Sequence, residues 1–189
     1  ELLRFSSEKD YADNGDENNT EMLLTETTAA EQWIVRLLEG LPDESLEEAT
    51  EPQYFSGDLR PYQRRGLAWL QFLSKLGLGG CLADDMGLGK TPTALAHILS
   101  RNASKPTLVI CPLSVVHNWE SEAKKFTPSL KVFVAHGGGR PTGPSLINSI
   151  QESDIVVTTY ATATRDIHDL AQVQWGFLIC DEAQFIKNH

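Results

Sequence analysis

Two short clusters in this chain carry residue types that can do chemistry on a phosphate. The first is Ala83-Asp84-Asp85-Met86-Gly87-Leu88-Gly89-Lys90-Thr91. Its glycines let backbone N–H groups turn toward an anion, and a helix opening at its end adds positive potential. Met86, Gly87, Leu88, Gly89, Lys90 and Thr91 thus read as a cradle for a nucleoside triphosphate. Lys90 would reach the β- and γ-phosphates, and the Thr91 hydroxyl would hold magnesium. The general phosphate-loop pattern asks for glycine where Asp84 stands. Asp84 and Asp85 cannot bind phosphate themselves and are expected to shape the loop. The second cluster is Asp181-Glu182-Ala183-Gln184, directly after the apolar run Phe177-Leu178-Ile179-Cys180. A strand there would deliver Asp181 at its carboxyl end, where it can hold magnesium through water. Glu182 would then polarise a water beside the γ-phosphate.

Such clusters need a scaffold that brings them together. Short β-rich runs fall at Gly80–Ala83, Thr107–Cys111, Lys131–Ala135, Asp154–Thr159 and Trp175–Cys180. Helical patterns lie between them, near Thr91–Ser100, Val115–Phe126, Pro144–Gln151 and Thr162–Ala171, with Ser114 placed to cap the second. Strands alternating with helices, and near-continuous apolar strands, predict an α/β fold with a parallel sheet covered on both faces. Ligands on such sheets bind beyond the carboxyl ends of the strands. Ahead of the first strand, Trp69, Phe72, Leu73 and Leu76 fall at helical spacing after Pro61.

Residues 1–25 are acidic and polar and read as a loop or disordered segment. Residues 26–58 hold a helix pattern (Ile34, Leu37, Leu38 and Leu41 on one stripe) and an acidic linker. The α/β domain spans 59–189. The net charge of −10 is uneven: residues 1–58 carry sixteen acidic against three basic side chains, and the remainder ten against thirteen. The mildly basic second part can approach nucleic acid, and the first part repels it. No apolar run is long enough for a membrane span. Three cysteines, Cys81, Cys111 and Cys180, each fall in an expected buried strand without a CxxC pair. That pattern favours reduced core thiols and an intracellular location. The five histidines show no metal-ligand spacing.

The phosphate-loop run together with Asp181-Glu182-Ala183-Gln184 resembles the Swi/Snf family of superfamily-two, helicase-like ATPases. Leu59-Arg60-Pro61-Tyr62-Gln63 resembles the family's glutamine motif, which implies that Gln63 reads the adenine edge. Ile110-Cys111-Pro112-Leu113-Ser114 with Asn118-Trp119 resembles motif Ia, and Thr158-Thr159-Tyr160 a further nucleic-acid-facing motif. Ala183 to Asn188 continues the family's motif II. The resemblance covers about residues 59–189 and is nearest to bacterial members, with a helical domain before the motor. It implies a RecA-like lobe, ATP and Mg2+ as cofactors, and translocation on double-stranded DNA. It further implies a second RecA-like lobe as partner, and a cytoplasmic, nucleoid-associated protein. Lys90, Asp181, Glu182 and Gln184 would be catalytic, Gln184 coupling the γ-phosphate to lobe movement. Pro112, Ser114 and Thr159 would face the nucleic acid.

Bland readings stand beside these. Trp119 shares a helical stripe with Val116, Ala123 and Phe126 and reads as core. Gly137-Gly138-Gly139-Arg140 reads as a flexible loop, with Arg140 reaching a phosphate as a weaker reading. The family has an aliphatic residue after Gly-Lys-Thr, whereas this chain has Pro92, which removes a backbone N–H near the α-phosphate. Because the family's second lobe supplies the transition-state arginines, residues 1–189 alone are expected to bind ATP weakly and hydrolyse almost none. An unpaired sheet edge is expected to limit solubility. The alternatives are a strand-separating or RNA-dependent helicase of the same superfamily, or a non-catalytic nucleotide-binding module.

Overall fold

The computed structural model describes residues 49–85, 87–101 and 104–186. The helix expected at 26–41 and the polar segment 1–25 lie outside these residues. Four strands, β1 (Thr107–Cys111), β2 (Val132–Val134), β3 (Ile155–Thr159) and β4 (Phe177–Cys180), form one sheet in the order β2-β3-β1-β4. Every pairing is parallel, with Val109 opposite Val157 on one side and Ile179 on the other. The α/β fold with a parallel sheet and helices on both faces, read from the alternating pattern, is therefore the one observed.

Strand side chains alternate between two faces, and each face has its own core. Val109, Cys111, Ile155 and Val157 point to one side. There they meet α2 (Lys90–Ser100) through Ala94, Leu95 and Ile98, and α3 (Val116–Phe126) through Val116, Trp119 and Ala123. Leu108 and Val156 point to the other side. They pack against α4 (Pro144–Gln151) through Leu146 and Ile150, α5 (Tyr160–Arg165) through Ala163, and α6 (Ile167–Leu170) through Leu170. Helix α1 (Pro61–Lys75) lies outside α2, burying Leu67 against Ala96 and Leu59. Residues 49–58, read as a linker, dock onto this lobe. Phe55 stacks on Phe126 at 5.7 Å, and Glu51 pairs with Arg64 at 2.9 Å.

Five expectations are corrected. Residues 80–83 form no strand and run beside α1 without a ladder partner. Gly80 makes that approach possible, since a Cβ there would lie 2.8 Å from the Leu73 side chain. Cys81 is consequently exposed rather than buried, and Cys180 is half-buried, so only Cys111 is a core thiol. Ser114 does not cap α3; it sits exposed in a 3-10 turn, Leu113–Val115, and Val115 holds the cap position. The helix expected over 162–171 is two helices broken at Asp166. Asp166 forms a bidentate pair with Arg140, at 2.6 and 2.8 Å, and the two side chains are only 9% and 11% exposed. The glycine run 137–139 is thus pinned at its end, and Arg140 does not reach outward for a phosphate.

Strand β4 is at the edge of the sheet among the described residues. Its Leu178 registers beside the buried Leu108 yet is 54% exposed. The other face of β4 is covered: His97 of α2 meets the Phe177 ring edge-on at 5.3 Å, and Arg101 lies over it at 4.7 Å.

Candidate nucleotide site

Those last contacts fix the direction of α2. Its late residues His97 and Arg101 lie against the first residue of β4. Its first residue, Lys90, therefore points toward the carboxyl end of β4, where Asp181 follows. Over seven residues a helix rises about 10 Å, and four strand residues span about 13 Å, so these lengths allow the two clusters to end at the same level. A surface pocket lined by Ile98, Arg101, Lys105, Thr107 and Asp154 is at the opposite, amino end of the strands, away from this chemistry.

Gly89 caps α2 in the left-handed region, φ 75°, a conformation that favours glycine. It could hold no side chain for a second reason: a Cβ would meet Gln63 Nε2 at 2.5 Å. Gln63 is buried beneath the loop. Its Nε2 donates to the carbonyls of Leu88 and Gly89, at 3.2 and 3.0 Å, and its Oε1 accepts the Arg60 N–H at 2.8 Å. Tyr62 adds a third bond, from its hydroxyl to the Leu88 carbonyl at 3.1 Å. Gln63 thus supports the loop from behind through the carbonyls of Leu88 and Gly89. Lys90 Nζ donates to the carbonyls of Asp84 and Asp85, at 2.7 and 3.1 Å, which closes the loop across its mouth. Asp84 and Asp85 contribute backbone oxygens, in keeping with a shaping role. Met86 lies outside the described residues. Pro92 is buried at the third helical position, where no intrahelical N–H bond exists to lose. The proline breaks no helix bond and removes one amide from the first turn of α2.

Asp181 is held at every polar atom. Its N–H donates to the Ile110 carbonyl at 2.9 Å, extending the β1–β4 ladder. Its carbonyl accepts the Tyr160 hydroxyl at 2.8 Å. Oδ1 accepts the Glu182 N–H at 3.0 Å, and Oδ2 accepts the Trp119 indole N–H at 2.8 Å. Glu182 follows in the left-handed region, φ 52° and ψ 54°. For a residue with a side chain this costs about 1–3 kcal/mol and persists only where neighbours over-determine it. The four bonds on Asp181 are such neighbours. Gln184 Nε2 donates to Glu182 Oε2, which joins the last motif residue to the carboxylate before it. Burial, with the carboxylates and thiols around it, pushes the Tyr160 hydroxyl up to about 12, so it remains a donor.

The residues expected to face nucleic acid divide. Ser114 is exposed and Pro112 half-buried at the turn after β1. Thr159 is 5% exposed, and its hydroxyl is committed inward, donating to Thr162 Oγ1 and accepting the Thr162 N–H as the cap of α5.

A family model described as the SNF2-related domain matches residues 62–189. The chain belongs to the SNF2-related family. A family member from Bacillus subtilis, the putative ATP-dependent helicase/translocase YwqA, is 42% identical over 149 residues. That match covers 77% of this chain and 16% of the relative. The human lymphoid-specific helicase is 37% identical over 148 residues, covering 73% of this chain and 18% of its own length. The Sulfolobus solfataricus SWI2/SNF2 ATPase core in complex with dsDNA superimposes with a TM-score of 0.65 at 44% identity, covering 75% of this chain and 30% of that one. This SNF2-related chain thus spans less than a third of the proteins it matches.

The sequence did not announce the indole–carboxylate bond between Trp119 and Asp181. The tryptophan does belong to the core, 2% exposed. Its single N–H, however, had to find an acceptor, because an unpaired buried donor costs about 1–3 kcal/mol. That requirement is the one signal that could have pointed to it.

Proposed function

We propose that this chain is the ATP-binding first lobe of a motor that moves along double-stranded DNA at the expense of ATP. The observation that carries the reading is the run of α2: its late residues lie against the first residue of β4, which directs its glycine-capped start toward the end where Asp181-Glu182 follows.

In this reading the loop amides of Gly87, Leu88 and Gly89, with Lys90 and the amide of Met86, bind the triphosphate. Thr91 and Asp181 would hold Mg2+. Both Asp181 oxygens accept one N–H and keep lone pairs, and the described residues contain no cluster of three or more His, Cys, Asp or Glu able to cage a metal. That suits magnesium, which keeps its waters and takes one or two protein ligands beside substrate phosphates. Bound there, the ion neutralises charge on the β- and γ-oxygens. Glu182 orients the attacking water, and Gln184 passes the state of the γ-phosphate to a second RecA-like lobe. Gln63 holds the loop from behind. The exposed corner at Pro112 and Ser114 faces duplex DNA. Thr159 shapes the neighbouring corner. Turnover belongs to the longer protein, in which the second lobe contributes arginines worth roughly 10³–10⁵ in rate. No described helix is long and apolar enough to cross a membrane. A motor of this kind would work on DNA in the cytoplasm, with the nucleoid.

Titration calorimetry tests the first step. Mg·ATP should bind the chain and fail to bind Lys90→Ala; undiminished binding by that variant removes the reading. In a protein carrying both lobes, duplex DNA should stimulate turnover more than single strands, without strand displacement.

A further inference from the structure

Asp181 is gripped by side chains from the two corners that follow β1 and β3, the first exposed at Ser114 and the second buried at Thr158 and Thr159. Trp119 stands on α3, one helical turn after the exposed corner Pro112–Ser114. Tyr160 is the residue after Thr159, at the start of α5. The first takes the carboxylate at Oδ2, and the second takes the backbone carbonyl, both at 2.8 Å. These bonds join residues 62 and 21 positions apart, so neither is a by-product of local chain geometry.

We propose that Trp119 and Tyr160 are positioning residues that set the magnesium-holding carboxylate of Asp181 and tie it to the two corners. The inference rests on the nucleotide reading above. Trp119 has one N–H and, being buried, no water to fall back on. Any movement of the α3 entrance must either drag the carboxylate or break the bond. Tyr160 acts on the other side of the same residue. A shift at the Thr158–Tyr160 corner pulls the peptide between Asp181 and Glu182, and so turns the base as well. A ligand on the exposed Ser114 turn, or a shift at the buried Thr158–Tyr160 corner, is thereby felt at Asp181 without a change in the sheet.

Trp119→Phe keeps an aromatic ring in the core, smaller than the indole, and removes the N–H; Tyr160→Phe removes only the hydroxyl. Partners of metal ligands of this kind are worth about 10–100-fold in metal affinity. We therefore expect Trp119→Phe to weaken Mg2+ dependence of ADP binding about tenfold. Tyr160→Phe should weaken it about threefold, as for one neutral hydrogen bond. In both variants, metal-free ADP affinity should stay at the wild-type value. A purely structural role would lower both affinities together.

The indole N–H gives a second readout. In a nitrogen-15 spectrum the signal missing from Trp119→Phe should exchange slowly with solvent, and should move on adding Mg·ADP in wild type. It should move again on adding a duplex oligonucleotide. Equal loss with and without metal, or an indole signal indifferent to Mg·ADP while calorimetry shows binding, overturns the proposal and leaves the nucleotide site standing. No ADP binding by the wild-type chain overturns both. If Trp119→Phe does not fold, the Tyr160→Phe metal dependence decides alone.

Discussion

Acid should unfold this lobe through one histidine. His97 sits in the middle of α2, 1% exposed, between α1 and β4. Its Nε2 shares a hydrogen bond with Ser74 Oγ at 3.1 Å, while Nδ1 has no partner. Burial, and then the nearby Arg101 charge, lower it from 6.5 to about 4. The folded protein thus holds the imidazole neutral where the unfolded chain would bind a proton. Between those two values the unfolded state carries more protons, so stability falls as pH falls from about 6.5 toward 4. At about 1.36 kcal/mol per unit, the full span is worth about 3 kcal/mol, and pH 5 already removes about 2 kcal/mol. His97→Phe supplies a neutral ring that can keep the edge contact with Phe177 and cannot titrate. Urea unfolding of both proteins at several pH values isolates the term, because the carboxylates common to both cancel in the difference. Wild type should lose about 2–3 kcal/mol relative to His97→Phe between pH 7 and 4. Parallel stability curves would refute the reasoning, since they would mean that the imidazole charges in the folded state at no cost.

Two further substitutions probe the loop and the opposite face. Pro92→Ile restores an amide to the first turn of α2 without disturbing a helix bond, so nucleotide should bind more tightly. Equal dissociation constants by calorimetry would count against it. Arg140→Ala strands Asp166 as a buried, unpaired carboxylate, and should cost about 3–5 kcal/mol by urea unfolding. The double replacement Arg140→Met with Asp166→Leu should cost much less than the single one, because it leaves no stranded charge.

Much of the scaffold was legible because burial imprints a period on the sequence. The run Thr107–Cys111 became β1 and Pro144–Gln151 became α4 with the bounds read from pattern alone. β1 has a parallel partner on each side, and α4 packs Leu146 and Ile150 into one core face. The run Gly80–Ala83 looks equally strand-like but lacks a ladder partner. Pairing belongs to two segments, and a sequence window shows only one. Ser114 failed as a cap for a local reason: the chain inserts a 3-10 turn before α3, and that turn moves the helix start by one residue. The chemistry-bearing residues were legible as types, since Lys90, Asp181 and Glu182 follow from motif spacing. Their holding contacts were not. Trp119 to Asp181, Gln63 to Gly89 and Arg140 to Asp166 each join distant segments. Each is dictated by the need to satisfy a buried polar group, and that need becomes visible only once the fold decides what is buried.

Gln63 and Tyr62 have a consequence beyond holding the loop still. A peptide unit is rigid and planar, and in the trans form its carbonyl and the following N–H point in opposite directions. Tyr62 and Gln63 take the Leu88 carbonyl, and Gln63 and Thr93 take that of Gly89. Fixing those two oxygens inward turns the amides of Gly89 and Lys90 outward. Tyr62 and Gln63 therefore work like a hand behind a puppet: they aim those two amide hydrogens from the rear, and in the proposed function their direction is set before any phosphate arrives.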